Sequence, residues 1–196
     1  MKVVNLEDTT DKRAENRWEK SNVSYNNYID YIQSKKKPFR LTIIDLLYVK
    51  NFKGGSATIN ESTKNIEEKL KFHEGLFNEI SSGFYGEKLK DLSQDKIKLL
   101  IEKANEAFQL VEDKKTKIDG FAISFMSTLL HFHFPDLFPI LDRRVLNGLD
   151  LIKKNDLNKQ GQVKSIKFFY PQLIREFQKK TKTKKMREID REAFIK

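Results

Sequence analysis

Residues 117–145 read KIDGFAISFMSTLLHFHFPDLFPILDRRV, and the parsing of this stretch decides the fold. Gly120 punctuates ahead of an apolar helix expected over Phe121 to Phe134. The PDLFP turn follows, and Asp142 opens a further helix bearing Val145, Leu146 and Leu149. Upstream, Ser93 is placed as the N-cap of a helix whose inner face is Ile97, Leu100, Ala104, Phe108 and Val111. Between Asn60 and Ser81, Ile66, Leu70, His73, Phe77 and Ile80 recur at spacings of four, three, four and three, one face of an amphipathic helix. Phe39 to Val49, FRLTIIDLLYV, is apolar on nearly every side and suits a buried helix or a buried strand on periodicity alone. Its helical neighbours favour helix, started near Pro38 and ended by Gly54-Gly55.

At the ends, residues 1–38 divide into a charged amphipathic segment (Thr10 to Lys20), the Tyr-rich SYNNYIDYIQ and an SKKKP break. Downstream come a polar loop from Asn155 to Gln162 and a helix led by Pro171 with Leu173, Ile174 and Phe177 inside. The run KKTKTKK (Lys179 to Lys185) leads into a terminal helix, MREIDREAFIK. The expectation is an all-α protein over 1–196, one compact multi-helix domain or two small lobes sharing a core with a cleft. Residues 39–142 form its core part and 143–196 a basic helical part. With 8 Gly and 4 Pro in 196 residues, a turn-rich β-sandwich is disfavoured.

Composition bounds the chemistry. The absence of cysteine excludes disulfides, thiolate zinc sites and cysteine-held iron–sulfur clusters within this chain. There is no secretory h-region at the start and no apolar run near the roughly 18 residues of a membrane span, so the cytoplasm is the default expectation. The formal charge of +10 is unevenly distributed. From Arg143 to Lys196 there are 16 Lys and Arg against 6 Asp and Glu, whereas the first 142 residues balance to zero. A basic part beside a neutral one points to a polyanionic partner, and a solvated lysine-rich surface is the bland alternative.

Three features carry possible chemistry. Lys117-Ile118-Asp119-Gly120-Phe121-Ala122-Ile123-Ser124 is a tight turn between helices with Lys114, Lys115 and Lys117 at its mouth. Free N–H groups of a helix that starts directly after such a turn suit a phosphate, while on spacing alone the plainer reading, a Gly120 that simply ends the preceding helix, is favoured. Asp142 in FPILDRRV is first of all an N-cap. At the edge of the core, held ionised by helix N–H groups and by Arg143 or Arg144, it is also a candidate base or cation stabiliser. Asp45 is the lone acid of FRLTIIDLLYV, so it either has a partner or turns toward a solvent groove. His131 and His133, two apart, fall on different sides of a helix and do not suggest a shared metal; no metal or cofactor is expected.

The first two features together resemble the helix-hairpin-helix DNA glycosylase superfamily, in which a hairpin is followed by a Gly/Pro-rich loop and an essential Asp. The hairpin typically reads Leu-Pro-Gly-Val-Gly, then a variable residue, then a position that is Lys in strand-cleaving members. Here it reads Ile118-Asp119-Gly120-Phe121-Ala122, with Ser124 at the Lys position and 18 residues from Ser124 to Asp142, as in the endonuclease III branch. The adenine mismatch glycosylases carry a very similar FPILD and also have Ser in place of Lys. FRLTIIDLLYV resembles the early core helix that lines the base pocket. The likeness covers Phe39 to Gly54 and Lys117 to Leu149, about a quarter of the chain. In departure from the pattern, Ala122 replaces the second hairpin Gly and Asp119 stands where phosphate approaches, so Lys117 or Lys115 has to compensate. The second acid of adenine glycosylases falls about where Leu46 is, with Asp45 one place off.

The resemblance implies hydrolysis of an N-glycosidic bond of a base flipped out of DNA, with the duplex gripped through its phosphates. Asp142 would stabilise the oxocarbenium-like sugar and orient water, with Asp45 a weaker candidate for recognising or protonating the base. Gly120, Ala122 and Ser124 would hold phosphate through backbone, with Lys115, Lys117, Arg143 and Arg144 nearby. Ser124 forms no Schiff base, so no amine-driven strand cleavage is expected through that position. Two rival readings stay open: a DNA-binding module without chemistry, and a protein-interaction domain with a basic face. Base identity and oligomeric state are not readable from the sequence.

Overall fold

The structure is a computed structural model and describes residues 6–55 and 59–196. Among these residues eight α-helices run in the order α1 (Leu6–Ser34), α2 (Ile43–Phe52), α3 (Thr63–Gly83), α4 (Gln94–Leu110), α5 (Ile123–His133), α6 (Arg143–Gly148), α7 (Tyr170–Lys180) and α8 (Met186–Ile195). Short 3₁₀ turns at Leu89–Asp91, Lys154–Asp156 and Ile166–Phe169 join them. No strand occurs among the described residues; Leu157 and Val163 make only an isolated antiparallel bridge that closes the 155–162 loop. The fold is all-α, and no described helix is long and apolar enough to cross a membrane.

The periodic segments behave as their patterns require. Ile66, Leu70, His73, Phe77 and Ile80 all face the interior of α3, and Ile97, Leu100, Ala104 and Phe108 do so on α4. Ser93 caps α4 by accepting the N–H of Lys96 at 3.3 Å. One apolar cluster extends from Tyr28 on α1 through α2–α5 to Ala193 on α8, so the two ends of the chain share a core.

Two boundaries differ from expectation, for local reasons. The amphipathic and Tyr-rich segments are not divided: among the described residues a single helix runs from Leu6 to Ser34, and the expected SKKKP break follows it. Its apolar positions Ala14, Trp18, Tyr28 and their neighbours bury against α2, α5 and α8, and this tertiary packing overrides the changes in composition. The FRLTIIDLLYV element is indeed a helix but starts at Ile43 rather than near Pro38. Thr42 is its N-cap, and Asp45 reaches back to accept the Thr42 N–H at 2.7 Å, one half of a capping box. Gly54 and Gly55, at φ 89° and 71°, adopt the left-handed turn that ends it.

Helix α6 and helix α8 cross in close contact at Gly148 and Ala193. A Cβ on Gly148 would lie 1.9 Å from the carbonyl oxygen of Ala193, so only glycine permits the crossing. This contact brings the polar side chains of α8 to the start of α6, where Asp142 sits.

Candidate functional site

The FPILD segment is irregular, so its backbone polar groups need partners from outside it. They come from two elements, α5 and α7. Ser124 donates its hydroxyl to the Leu141 carbonyl at 3.0 Å, and Ser127 accepts the Leu141 N–H at 3.0 Å. His131 Nδ1 lies 2.8 Å from the Phe138 carbonyl, and Tyr170 donates to the Pro139 carbonyl at 2.8 Å. Helix α5 thus fixes the loop that delivers Asp142, and Ser124 links the start of α5 to it directly.

Asp142 adopts extended backbone (φ −131°, ψ 144°) and caps α6, its Oδ1 accepting the Arg144 N–H at 2.8 Å. Oδ2 takes the ammonium of Lys53 at 2.5 Å, from the residue that ends α2. The Asp142 side chain is 24% exposed, so it is not sealed against its helix. Burial pushes its carboxyl upward, but Lys53, the Arg144 N–H and the Arg144 charge together outweigh burial and hold it below its usual value. It is an ionised carboxylate at neutral pH.

Asp142 and Lys53 stand between two depressions. On one side is a cavity of about 550 Å³ with Trp18, Phe52 and Phe194 as aromatic walls and Ser24, Asn51 and Asp190 as polar groups. On the other side is an open depression lined by Ala122, Ile123 and Ser124 at the start of α5, with Arg143, Arg144 and Gln162. Ala122 provides no side-chain cap, so the first N–H groups of α5 remain for another acceptor. Gly120 takes φ 80° in the turn just before. Arg143 donates to the Gly161 carbonyl, and Arg144 lies over the Phe194 ring at 5.1 Å.

The structure therefore brings Asp142, Ala122, Ser124, Arg143 and Arg144 to one place. It does not bring the remaining predicted residues there. Lys115 and Lys117 are exposed on the preceding turn, where Lys117 lies 3.6 Å from Asp119, and neither lines the depression. The Asp119 N–H is occupied by Glu61 at 2.7 Å, and Glu61 also pairs with Lys69.

Asp45 is the clearest departure from the expected site. It has a partner rather than a solvent groove: Lys35 at 2.9 Å, the Tyr28 hydroxyl at 2.9 Å and the Thr42 hydroxyl at 3.0 Å surround it. It is fully buried at the opposite end of α2 from Lys53, roughly 12 Å away at 1.5 Å per residue, and lines neither depression. His133 Nε2 lies 3.9 Å from Asp45, whereas His131 faces Phe138, so the two histidines do turn to different sides.

Three site residues escaped the sequence reading. Lys53 was hidden by lying at the end of an otherwise apolar helix. Asp190 and Phe194 belong to α8, where Met186, Ile189, Asp190 and Ala193 form the buried face. An acid on that face was the available signal. Asp190 is 3% exposed and accepts from Arg187 Nη1 at 2.5 Å. The Arg187 guanidinium is in turn held 4.0 Å from the Trp18 ring centre and 4.3 Å from that of Tyr25. Burial raises the Asp190 carboxyl to about 6, against the opposing pull of Arg187. The comparisons with protein-family models, with curated proteins and with solved structures return no match, and the site is read from its own geometry and charge.

Proposed function

We propose that this protein binds DNA and hydrolyses the N-glycosidic bond of a base turned out of the stack, in the manner of the helix-hairpin-helix DNA glycosylases it resembles. One observation carries the reading: an ionised Asp142 stands between an aromatic-walled cavity and a basic depression where α5 begins with uncapped N–H groups. The cavity suits a planar, apolar-faced heterocycle with polar edges, offered three rings and the Ser24–Asn51 pair. The depression suits a phosphate, offered Arg143, Arg144 and helix N–H groups. A sugar joining the two would set C1′ beside Asp142, whose charge would stabilise the oxocarbenium-like transition state and orient water. Asp45 has no part in this proposal, because its acceptor sites are taken inside the core.

The test is single-turnover incubation with end-labelled duplexes carrying uracil, hypoxanthine, adenine opposite 8-oxoguanine, or 7-methylguanine, followed by alkali. Wild type is expected to release at least one base, and Asp142→Asn to slow release by at least about 100-fold. Breaks should appear only after alkali, since Ser124 is no amine; breaks before alkali would implicate Lys53. The competing reading, a DNA-binding module without chemistry, draws on that same Lys53, whose ammonium already neutralises Asp142. Duplex affinity that falls steeply with salt, without release of any base, would select it.

A further inference from the structure

We propose that Asp190 is the proton donor to the departing base, facing the same cavity as Asp142 and acting as its acid counterpart. The inference rests on the glycosylase reading and assigns a second catalytic residue within it. Asp190 and Asp142 both line the aromatic-walled cavity, from α8 and from the start of α6. Their surroundings differ in the way an acid and a base need. Asp142 has direct ties to Lys53 and to a helix N–H group, which favour its anion. Asp190 is almost wholly buried and among the described residues accepts a hydrogen bond from Arg187 alone, through Oδ2. No described residue donates to its Oδ1, and a protonated Oδ1 would have a ring nitrogen or exocyclic oxygen of a bound base as its acceptor.

In the step, the C1′–N bond breaks and its electron pair passes to the base nitrogen system. The Asp190 proton goes to the base, water adds to C1′, and the proton lost by that water goes to Asp142. A proton returning from Asp142 to solvent and one taken up by Asp190 restore both groups. The charges that face Asp190 are Arg187 from its own helix, Asp142 from the start of α6 and Lys53 from the end of α2. Arg17 and Lys20 of α1 line the same cavity, and Arg144 approaches through Phe194. Behind Arg187, Tyr25 and His131 remain neutral, because burial raises the phenol and lowers the imidazole to about 3. Lys184 and Lys185 flank Arg187 on the outer side. Burial dominates this set and keeps Asp190 protonated in mild acid, up to about pH 6.

The experiment is the pH dependence of single-turnover base release by the full chain, with the four duplexes named above. For uracil, hypoxanthine or adenine, wild-type release should fall as pH rises through about 6, and Asp190→Asn should lose that limb together with about 100-fold in rate at pH 5.5. Asp190→Glu, still an acid, should keep the limb. The loss in Asp190→Asn should be far smaller for 7-methylguanine, which leaves as a neutral base without a proton. An ion pair that merely secures α8 would instead lower all substrates alike and leave the limb in place, and that result overturns the proposal. Release confined to 7-methylguanine overturns it too, while sparing Asp142. No release by wild type overturns both readings together. Should Asp190→Asn fail to fold, ¹³C carboxyl titration of the wild-type protein decides: an Asp190 midpoint in the ordinary carboxylate range refutes the donor role.

Discussion

Helix α2 has an Asp–Lys pair at each end, and the two pairs differ in everything except their chemistry. At its start Asp45 meets Lys35 at 2.9 Å; at its end Lys53 meets Asp142 at 2.5 Å. The first pair is enclosed. Tyr28, Tyr31 and Tyr48 stack around it, and the Thr42 N–H and hydroxyl take remaining acceptor positions. The second lies between a cavity and an open depression, with the carboxylate still partly exposed. A carboxylate beside an ammonium therefore marks a site only where something from outside can reach it. Asp45 spends its acceptors on fixing how α1 enters α2; Asp142 spends two and keeps a face.

The largest expected effect falls at the sealed end. Asp45→Ala strands Lys35, only 10% exposed, and leaves Tyr28 and the Thr42 N–H without their acceptor. A loss of about 3–5 kcal/mol in urea unfolding is expected. Asp142→Asn should cost less, about 1–2 kcal/mol, because the amide oxygen still caps α6, although Lys53, 13% exposed, loses its counter-charge. Equal losses would erase the distinction between the two ends.

Acid separates them by sign. His133, at the sealed end, is lowered by burial to about 3, as is His131, and His73 is lowered to about 4. Each binds its proton in the unfolded chain well above the pH at which it does so folded, so stability falls as pH drops below about 6.5. Asp190, at the open end, behaves oppositely: its folded carboxyl is raised to about 6, so the native state holds the extra proton and gains stability as pH falls from 6 toward 4. Three histidine protons against one aspartate proton leave about two, a slope of roughly 2–3 kcal/mol per pH unit near pH 5, with stability decreasing toward acid. Urea titrations at pH 4.5, 5.0 and 5.5 would measure it. His133→Gln should flatten the slope by about one proton and Asp190→Asn should steepen it by one; the reverse pattern would show that the two ends are not in these protonation states.

How much of this contrast was readable beforehand follows from its range along the chain. Asp142 as an N-cap, the Ser93 cap and the inner faces of α3 and α4 are set by neighbours within a few residues, and they were legible. So was the dilemma of Asp45, though not its solution. Lys35 lies 10 residues before it and Tyr28 17 before, and only the crossing of α1 on α2 brings both to it. The Thr42–Asp45 capping relation was local and still went unread, because the apolar run drew the helix start back to Pro38. Lys53 and Asp142 are 89 residues apart, and nothing in either segment announces the other. Asp190 depends on a helix crossing that Gly148 permits, which is a fact about two surfaces rather than one sequence.

That crossing gives the next test. Gly148→Ala places a methyl group against the Ala193 backbone, and α6 and α8 must separate. Thermal or urea unfolding should show a loss of about 1–3 kcal/mol. The open end should suffer beyond that, because Asp190 and Phe194 move away from Asp142, while the Asp45 cluster, which α8 does not build, should keep its unfolding cost per mutation. A double variant with Asp45→Ala would then be additive within a few tenths of a kcal/mol.

A small effect on stability is expected at Ser124, and it discriminates best between a scaffold and a site. Its hydroxyl makes one hydrogen bond, to the Leu141 carbonyl immediately before Asp142. Ser124→Ala should cost about 1 kcal/mol, the net worth of one such bond. Ser127→Ala, which removes the partner of the Leu141 N–H in a fully buried position, should cost somewhat more. If the loop serves only to close the core, base release should follow these stabilities, and Ser127→Ala should be the slower enzyme. If Ser124 instead holds the Asp142 carboxylate in register with the start of α5, Ser124→Ala should lose more rate than its stability explains, about 10-fold, since positioning errors well under 1 Å are felt in the transition state. Unchanged release by Ser124→Ala would mean that Lys53 and the α6 cap alone place Asp142, and the link between the two depressions would then run through α2 rather than α5.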